Sequence, residues 1–60
     1  MNEFYEGKWV IDTKRKITPT IVAIVPSSIA ELYVLEYDGE YYITDRENLI
    51  EYDKYWFDKE

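Results

Sequence analysis

The chain has 60 residues, a formal net charge of -6 and an aromatic content of 18%. It contains neither cysteine nor histidine, which excludes disulfides, thiolate metal sites and the commonest general base of enzymes. Residues 31–60 carry ten acids against three bases, a net of -7, and this acidic half disfavours binding to phosphates. We expect a single domain over 1–60 whose thin stability margin depends on large aromatic side chains.

The first two predicted strands differ in pattern. Residues 8–12 alternate, with Trp9 and Ile11 on one face, and a polar basic loop follows at 13–16. Thr20–Val25 is nearly all apolar, which predicts a central strand buried on both faces. Pro19 precedes this strand, where a missing N–H does least harm.

The third and fourth strands, 31–37 and 40–44, are joined by Asp38 and Gly39, a strong hairpin signal. A two-residue turn pairs Tyr37 with Glu40, whereas a three-residue loop shifts the pairing by one position and turns every side chain over. Only the three-residue loop gives a uniformly apolar inner face, so the sequence favours it. That inner face would hold Tyr33, Leu35, Tyr41 and Ile43.

A short helical turn is predicted between the fourth and fifth strands. Thr44 and Glu47 have the spacing of a capping box. The fifth strand follows at 49–52, and an aromatic tail at 54–60 completes the chain.

The order of these signals resembles that of SH3-like barrels over residues 4–53. Residues 4–12 are similar to the opening strand of such domains, and 32–43 resemble the Asp-Gly hairpin of KOW and Tudor-like members. Residues 48–51 resemble their closing Glu-Leu-Ile strand. The resemblance implies an all-β, five-stranded SH3-like barrel with one helical turn before the last strand.

The same resemblance extends to small acidic SH3-like proteins of bacteriophages and prophages, and it implies a host-takeover or anti-defence role. Two departures limit what carries over. RNA-binding KOW domains are typically basic, whereas this chain is acidic. The Ala-Leu-Tyr-Asp-Tyr motif of proline-binding SH3 domains is missing, so recognition of PxxP peptides does not follow.

Catalysis is not expected, because the paired carboxylates lie in predicted turns or in the tail, where they are exposed to water. These pairs are Asp38 with Glu40, Asp45 with Glu47, and Asp58 with Glu60. No cofactor and no metal site is predicted. The basic residues Lys14, Arg15 and Lys16 with nearby Trp9 could hold a single-stranded nucleic acid, but three charges against the acidic surplus argue against it.

We expect a protein-interaction module instead, because the chain has more large apolar side chains than a barrel of this size can bury. The candidate protein-binding residues are Tyr42, Tyr52, Tyr55, Trp56 and Phe57. A homodimer through the same residues is a related expectation. Trp56 or Phe57 should cap the core against Trp9 or Phe4, and the remaining tail aromatics should contact a partner.

The alternative is an acidic decoy that mimics nucleic acid and blocks a basic groove. Its acidic face would comprise Glu36, Asp38, Glu40, Asp45, Glu47, Glu51 and Asp53. No signal peptide or membrane span is predicted, so the expected location is the cytoplasm.

Overall fold

The computed structural model describes residues 4–59, and side chains from residue 4 to residue 58. Short β-branched and aromatic runs form five antiparallel strands, and the chain is all-β as the sequence predicts. The strands are β1 Val10–Asp12, β2 Thr20–Val25, β3 Leu32–Tyr37, β4 Glu40–Asp45 and β5 Leu49–Glu51. Two 3₁₀ turns, η1 Arg46–Asn48 and η2 Trp56–Lys59, precede and follow β5.

The strands form two sheets that are joined at one corner. β1 pairs with β5, and β3 lies between β2 and β4. Trp9 and Thr20 form an antiparallel bridge between the sheets, and the Val10 N–H donates to the Pro19 carbonyl at 3.1 Å. The resulting order is β5-β1-β2-β3-β4. β4 and β5 do not pair with each other, so these sheets do not close into a barrel.

Both sheets contribute to one apolar core. Its fully buried members are Val10, Ile21, Tyr33, Leu35 and Leu49, with Phe4, Ile24 and Tyr42 partly buried against them. Removal of these side chains from water is the main favourable term in folding. The core therefore lies between the β1–β5 pair and the inner face of the three-stranded sheet.

The prediction that β2 is buried on both faces is wrong. β3 is the central strand of the three-stranded sheet, and Val22 and Val25 of β2 are exposed. The pairing of β2 with β3 shifts between Ile21 and Ala23, so Val22 is the extra residue of a bulge. The apolar run of β2 thus supplies a core face and an apolar outer face.

The predicted register of the β3–β4 hairpin is also wrong. The structure pairs Tyr37 with Glu40 and Leu35 with Tyr42, the register of the two-residue turn. Asp38 has φ 53° and Gly39 has φ 83°, as a type I′ turn requires at both central positions. That turn matches the twist of the strands, and its geometry overrides the preference for a uniformly apolar inner face.

Hydroxyl groups make the observed register favourable. Tyr42 and Thr44 now face inward, while Tyr41 and Ile43 face outward and are exposed. The Tyr42 hydroxyl donates to the Asp12 carboxylate at 2.7 Å, and Thr44 Oγ1 accepts from Asn48 Nδ2 at 2.9 Å. A polar group that is buried with a hydrogen-bond partner avoids most of the free-energy cost of leaving water.

The helical turn before β5 is present as η1, but the predicted capping box is wrong. Thr44 belongs to β4, and the N-cap residue is Asp45, which makes no side-chain capping bond. The Thr44 hydroxyl is instead engaged by Asn48. This bond ties the end of β4 to the last residue of the turn.

Candidate binding surfaces

The most buried charged group of the described chain is the Asp12 carboxylate, whose exposed fraction is 0%. It accepts the Lys14 and Arg15 backbone N–H groups at 3.0 Å on Oδ1. Its Oδ2 accepts the Tyr42 hydroxyl at 2.7 Å and the Arg15 guanidinium at 3.1 Å. Asp12 therefore fixes the basic loop and the inner side of β4 together.

The pKa of the Asp12 carboxyl reflects two opposed effects. Burial by itself raises that pKa, but the hydrogen bonds from Tyr42 and Arg15, with the positive charge of Arg15, outweigh burial and lower it below its ordinary value. The Tyr42 hydroxyl shifts the other way. Burial and the adjacent Asp12 carboxylate raise the pKa of Tyr42 well above its ordinary value. Asp12 is thus ionised and Tyr42 neutral at neutral pH.

Asp12 also changes what the basic loop can do. The Arg15 guanidinium lies 4.3 Å from the Tyr42 ring centroid as well as on Asp12, so one of the three loop cations is neutralised locally. Trp9 directly precedes β1, and Asp12 is the last residue of that strand. Their Cα atoms are therefore about 10 Å apart at the rise of an extended chain.

Aromatic side chains form a first candidate surface after β5, which we call the C-terminal aromatic surface. We group under this name two sets that follow each other in the chain after β5, namely Tyr52 with its stacked partner Trp9, and the tail residues Tyr55, Trp56 and Phe57. The β1–β5 register continued by one position sets Trp9 opposite Tyr52. Their rings stack at 5.1 Å with an interplanar angle of 18°, yet Trp9 remains 57% exposed.

The tail is shaped by a turn at Asp53. The Asp53 carboxylate accepts the Tyr55 N–H, and its carbonyl accepts the Trp56 N–H, both at 2.9 Å. Trp56 then meets Phe57 edge-on at 4.9 Å. Tyr55 and Phe57 are exposed and Trp56 is half-buried.

Among the described side chains, Trp56 and Phe57 make no ring contact with Trp9 or Phe4, so the expected cap is not observed. The aromatic partners of Trp9 and Phe4 are Tyr52 and Tyr33 instead, the latter in an edge-on contact at 5.8 Å. Among the described side chains, the partly buried apolar groups against the core cluster are Phe4, Ile24 and Tyr42. Tyr42, a predicted protein-binding residue, therefore lies apart from the tail on the inner face of β4.

The seven predicted acidic residues are divided between two regions. Glu36, Asp38, Glu40 and Asp45 lie on the β3–β4 hairpin, whereas Glu47 is in η1 and Glu51 and Asp53 belong to β5 and the turn after it. Glu51 forms an ion pair with Lys8 at 3.6 Å, and Asp53 holds the tail turn. Glu36, Asp38 and Glu40 lie near the turn end of the hairpin, whereas Asp45 lies at its other end.

A second candidate surface was missed at the level of sequence, and we call it the outer sheet face. The observed pairing places its apolar members in adjacent positions across three strands: Ala23, Val25, Leu32, Val34, Tyr41 and Ile43. Tyr41 and Ile43 are 69% and 60% exposed. The Asp38-Gly39 pair, read as a two-residue turn, would have been the signal for this face.

Other kinds of site are not found in the described part of the chain. Residues 4–59 enclose no cavity, and they bring no three metal-ligating side chains together. None of their helical segments is long and apolar enough to cross a membrane. Comparison with known protein families, with curated proteins and with solved structures gives no match to this chain.

Proposed function

We propose that this chain is a non-enzymatic protein-interaction module with an SH3-like fold. The observation that carries the proposal is the stacked and exposed pair of Trp9 and Tyr52, followed in the chain by exposed Tyr55 and Phe57. Tyrosine and tryptophan dominate the energetics of protein interfaces. A stacked pair is already ordered before a partner arrives, so less side-chain entropy is lost on binding.

The SH3-like part of the proposal is supported by the order of elements. The five antiparallel strands follow the order β5-β1-β2-β3-β4, and a 3₁₀ turn precedes the last strand. Five strands with a helical turn before the last are the elements that the sequence resemblance implies, and closure into a barrel is not among the features observed in the described residues. Fold alone does not define a partner, so the binding role depends on the exposed side chains.

The resemblance to small phage and prophage proteins extends the proposal to an inhibitor or modulator of a host protein in the cytoplasm. Self-association through the C-terminal aromatic surface is part of the same proposal. Light scattering after size exclusion tests it. A monomer at every concentration would contradict the proposed homodimer.

The acidic decoy is a second candidate, and one observation favours it. Residues 20–45 hold all of β2, β3 and β4 and contain five carboxylates and no lysine or arginine. A decoy would bind through long-range attraction, so its affinity would fall steeply as salt rises. An aromatic-anchored complex would lose much less.

The test is affinity capture from a bacterial lysate at low and at high salt, with wild type and two variants. The double variant Tyr55→Ser with Phe57→Ser removes the exposed tail aromatics. Ile29→Ser is the matched control, because Ile29 is 94% exposed in the β2–β3 loop. We expect a specific protein to be retained at high salt by wild type and Ile29→Ser and lost by the double variant.

Circular dichroism and urea unfolding establish that both variants are folded before capture is interpreted. Capture that disappears at high salt with wild type would favour the decoy. Equal capture by all three proteins at high salt would contradict a role for the C-terminal aromatic surface.

A further inference from the structure

We propose that the outer sheet face is a second binding surface, and that its occupant is a basic amphipathic α-helix of another protein. The apolar members of this surface belong to β2, β3 and β4, and it adjoins the C-terminal aromatic surface through the row of Trp9, Thr20 and Glu36. Because it is made of other residues, the inference goes beyond the function proposed above. It depends on the hairpin register, on the exposure of the apolar face and on the distribution of charge around it.

The apolar part of the face is continuous across the sheet. Val34 of β3 pairs with Ala23 on one side and with Ile43 on the other. In the neighbouring row, Leu32 pairs with Val25. Directly opposed side chains in a sheet are in contact distance, so these residues form one apolar strip rather than scattered groups.

The charged part of the face lies at its two ends. Glu36 pairs with Tyr41 at one end of the strip, and Asp45 pairs with Leu32 at the other. The Glu36 carboxylate accepts the Gly39 N–H at 2.8 Å, which holds it at the turn end. Asp38, in the turn itself, is exposed at the same end of the hairpin.

Positive charge is directed away from this face. Residues 20–45 contain no base. Arg46, which follows Asp45, lies 4.5 Å from the ring centroid of Phe4, and Phe4 packs on the core side of the sheet. Two copies of the chain would therefore place carboxylates against carboxylates, whereas a basic partner would be attracted to the rim.

The width of the face selects a helix among basic partners. Three strands span about 10 Å across the sheet, which is about the diameter of one α-helix with its side chains. A helix with apolar residues on one face and lysines or arginines on its flanks would cover the strip and reach Glu36 and Asp45. A surface that only mimics nucleic acid would not need an apolar centre. The exposed side chains of Tyr41 and Ile43 therefore favour an amphipathic partner over one that binds through charge alone.

The test uses a synthetic helical peptide with a leucine face and lysines elsewhere, measured by fluorescence anisotropy against the full chain. One control peptide has glutamate in place of each lysine, and a second has the same residues in scrambled order. We expect binding of the lysine peptide alone. Ile43→Ser should weaken it about five- to tenfold, whereas the exposed loop variant Ile29→Ser should not.

Charge is tested separately. The double variant Glu36→Gln with Asp45→Asn keeps hydrogen-bonding capacity while removing the charge at both ends of the strip, and it should weaken binding of the lysine peptide. Glu47→Gln in η1 is the matched control and should bind like wild type.

NMR titration with the lysine peptide locates the contact. Shifts confined to β2, β3 and β4 support the proposal. Shifts confined to the C-terminal aromatic surface, equal binding of the scrambled peptide, or no effect of Ile43→Ser would overturn it. None of these outcomes affects the tail variants used for capture, so the two proposals can fail independently.

Discussion

The hydroxyl of Tyr42 donates a 2.7 Å hydrogen bond to the carboxylate of Asp12, thirty positions away in the chain. This bond joins β4 to the end of β1, although the two strands belong to different sheets. It also places the Tyr42 ring beneath the Arg15 guanidinium. One buried interaction thus links the hairpin register, the basic loop and the packing of the two sheets.

Replacement of Tyr42 by phenylalanine should lower the free energy of unfolding by about 1.5–3 kcal/mol, because a hydrogen bond to a buried charge is lost. Urea unfolding monitored by tryptophan fluorescence measures the change. Tyr41→Phe is the control, since Tyr41 is exposed on the outer side of the same strand. Equal losses for the two variants would contradict the role given to the Asp12–Tyr42 bond.

Stability should decrease in acid partly through Asp12. Folding lowers the pKa of the Asp12 carboxyl, so the unfolded chain binds that proton more readily. The Asp12 contribution is then present above the pKa of the unfolded carboxyl, about 4, and is lost as the pH falls through the lower folded pKa. Urea midpoints across this range should fall less steeply for Asp12→Asn than for wild type. Parallel curves would exclude Asp12 as a source of the dependence.

In alkali the sign reverses for Tyr42. Folding raises the pKa of its hydroxyl above the ordinary value of 10.0, so the native state keeps a proton that the unfolded state releases. Tyr42 therefore contributes stability below that ordinary value, and the contribution is lost as the pH rises toward the folded pKa. Before alkaline unfolding, absorbance titration should show fewer ionised tyrosines in native wild type than in the unfolded chain, because burial raises the pKa of Tyr33 as well as that of Tyr42. Because Tyr42 does not ionise in the native state, native Tyr42→Phe and native wild type should show the same number of ionised tyrosines.

The hairpin shows which parts of the fold could be read from the sequence. The strand positions, the all-β class and the helical turn before β5 follow from local patterns, because β-branched runs and turn residues determine them nearly alone. The register did not follow, because the apolarity of Tyr41 and Ile43 suggested burial. The register is set instead by the type I′ turn at Asp38 and Gly39 and by the hydrogen bond from Tyr42 to Asp12. The latter contact is long-range, and a local pattern cannot contain it.

The binding surfaces were predictable to different degrees. Tyr52 and the tail aromatics could be selected from composition alone, but the stacking of Tyr52 on Trp9 depends on the β1–β5 pairing. The outer sheet face depends on two registers and on the Val22 bulge. A one-residue error in one hairpin therefore concealed an entire surface.

Substitution of Gly39 by alanine tests the turn directly. Gly39 has φ 83°, and a Cβ there would meet no atom within 4 Å, so any effect comes from backbone conformation. We expect a loss of about 1–2 kcal/mol in the free energy of unfolding. Ser28→Ala, in the other hairpin loop, should change it by less than about 0.5 kcal/mol. A neutral Gly39→Ala would mean that the chain does not depend on the two-residue turn.

The stacked pair of Trp9 and Tyr52 should act as one unit before any partner binds. Aromatic pairs contribute about 0.5–1.5 kcal/mol beyond the burial of their area. A double-mutant cycle with Trp9→Leu, Tyr52→Leu and both together isolates this coupling, because leucine keeps apolar bulk at each position. We expect the double variant to be more stable than the sum of the two single losses would predict, by that amount. Strict additivity would show that the rings do not stabilise each other. The C-terminal aromatic surface would then have to become ordered when its partner binds, rather than being ordered beforehand.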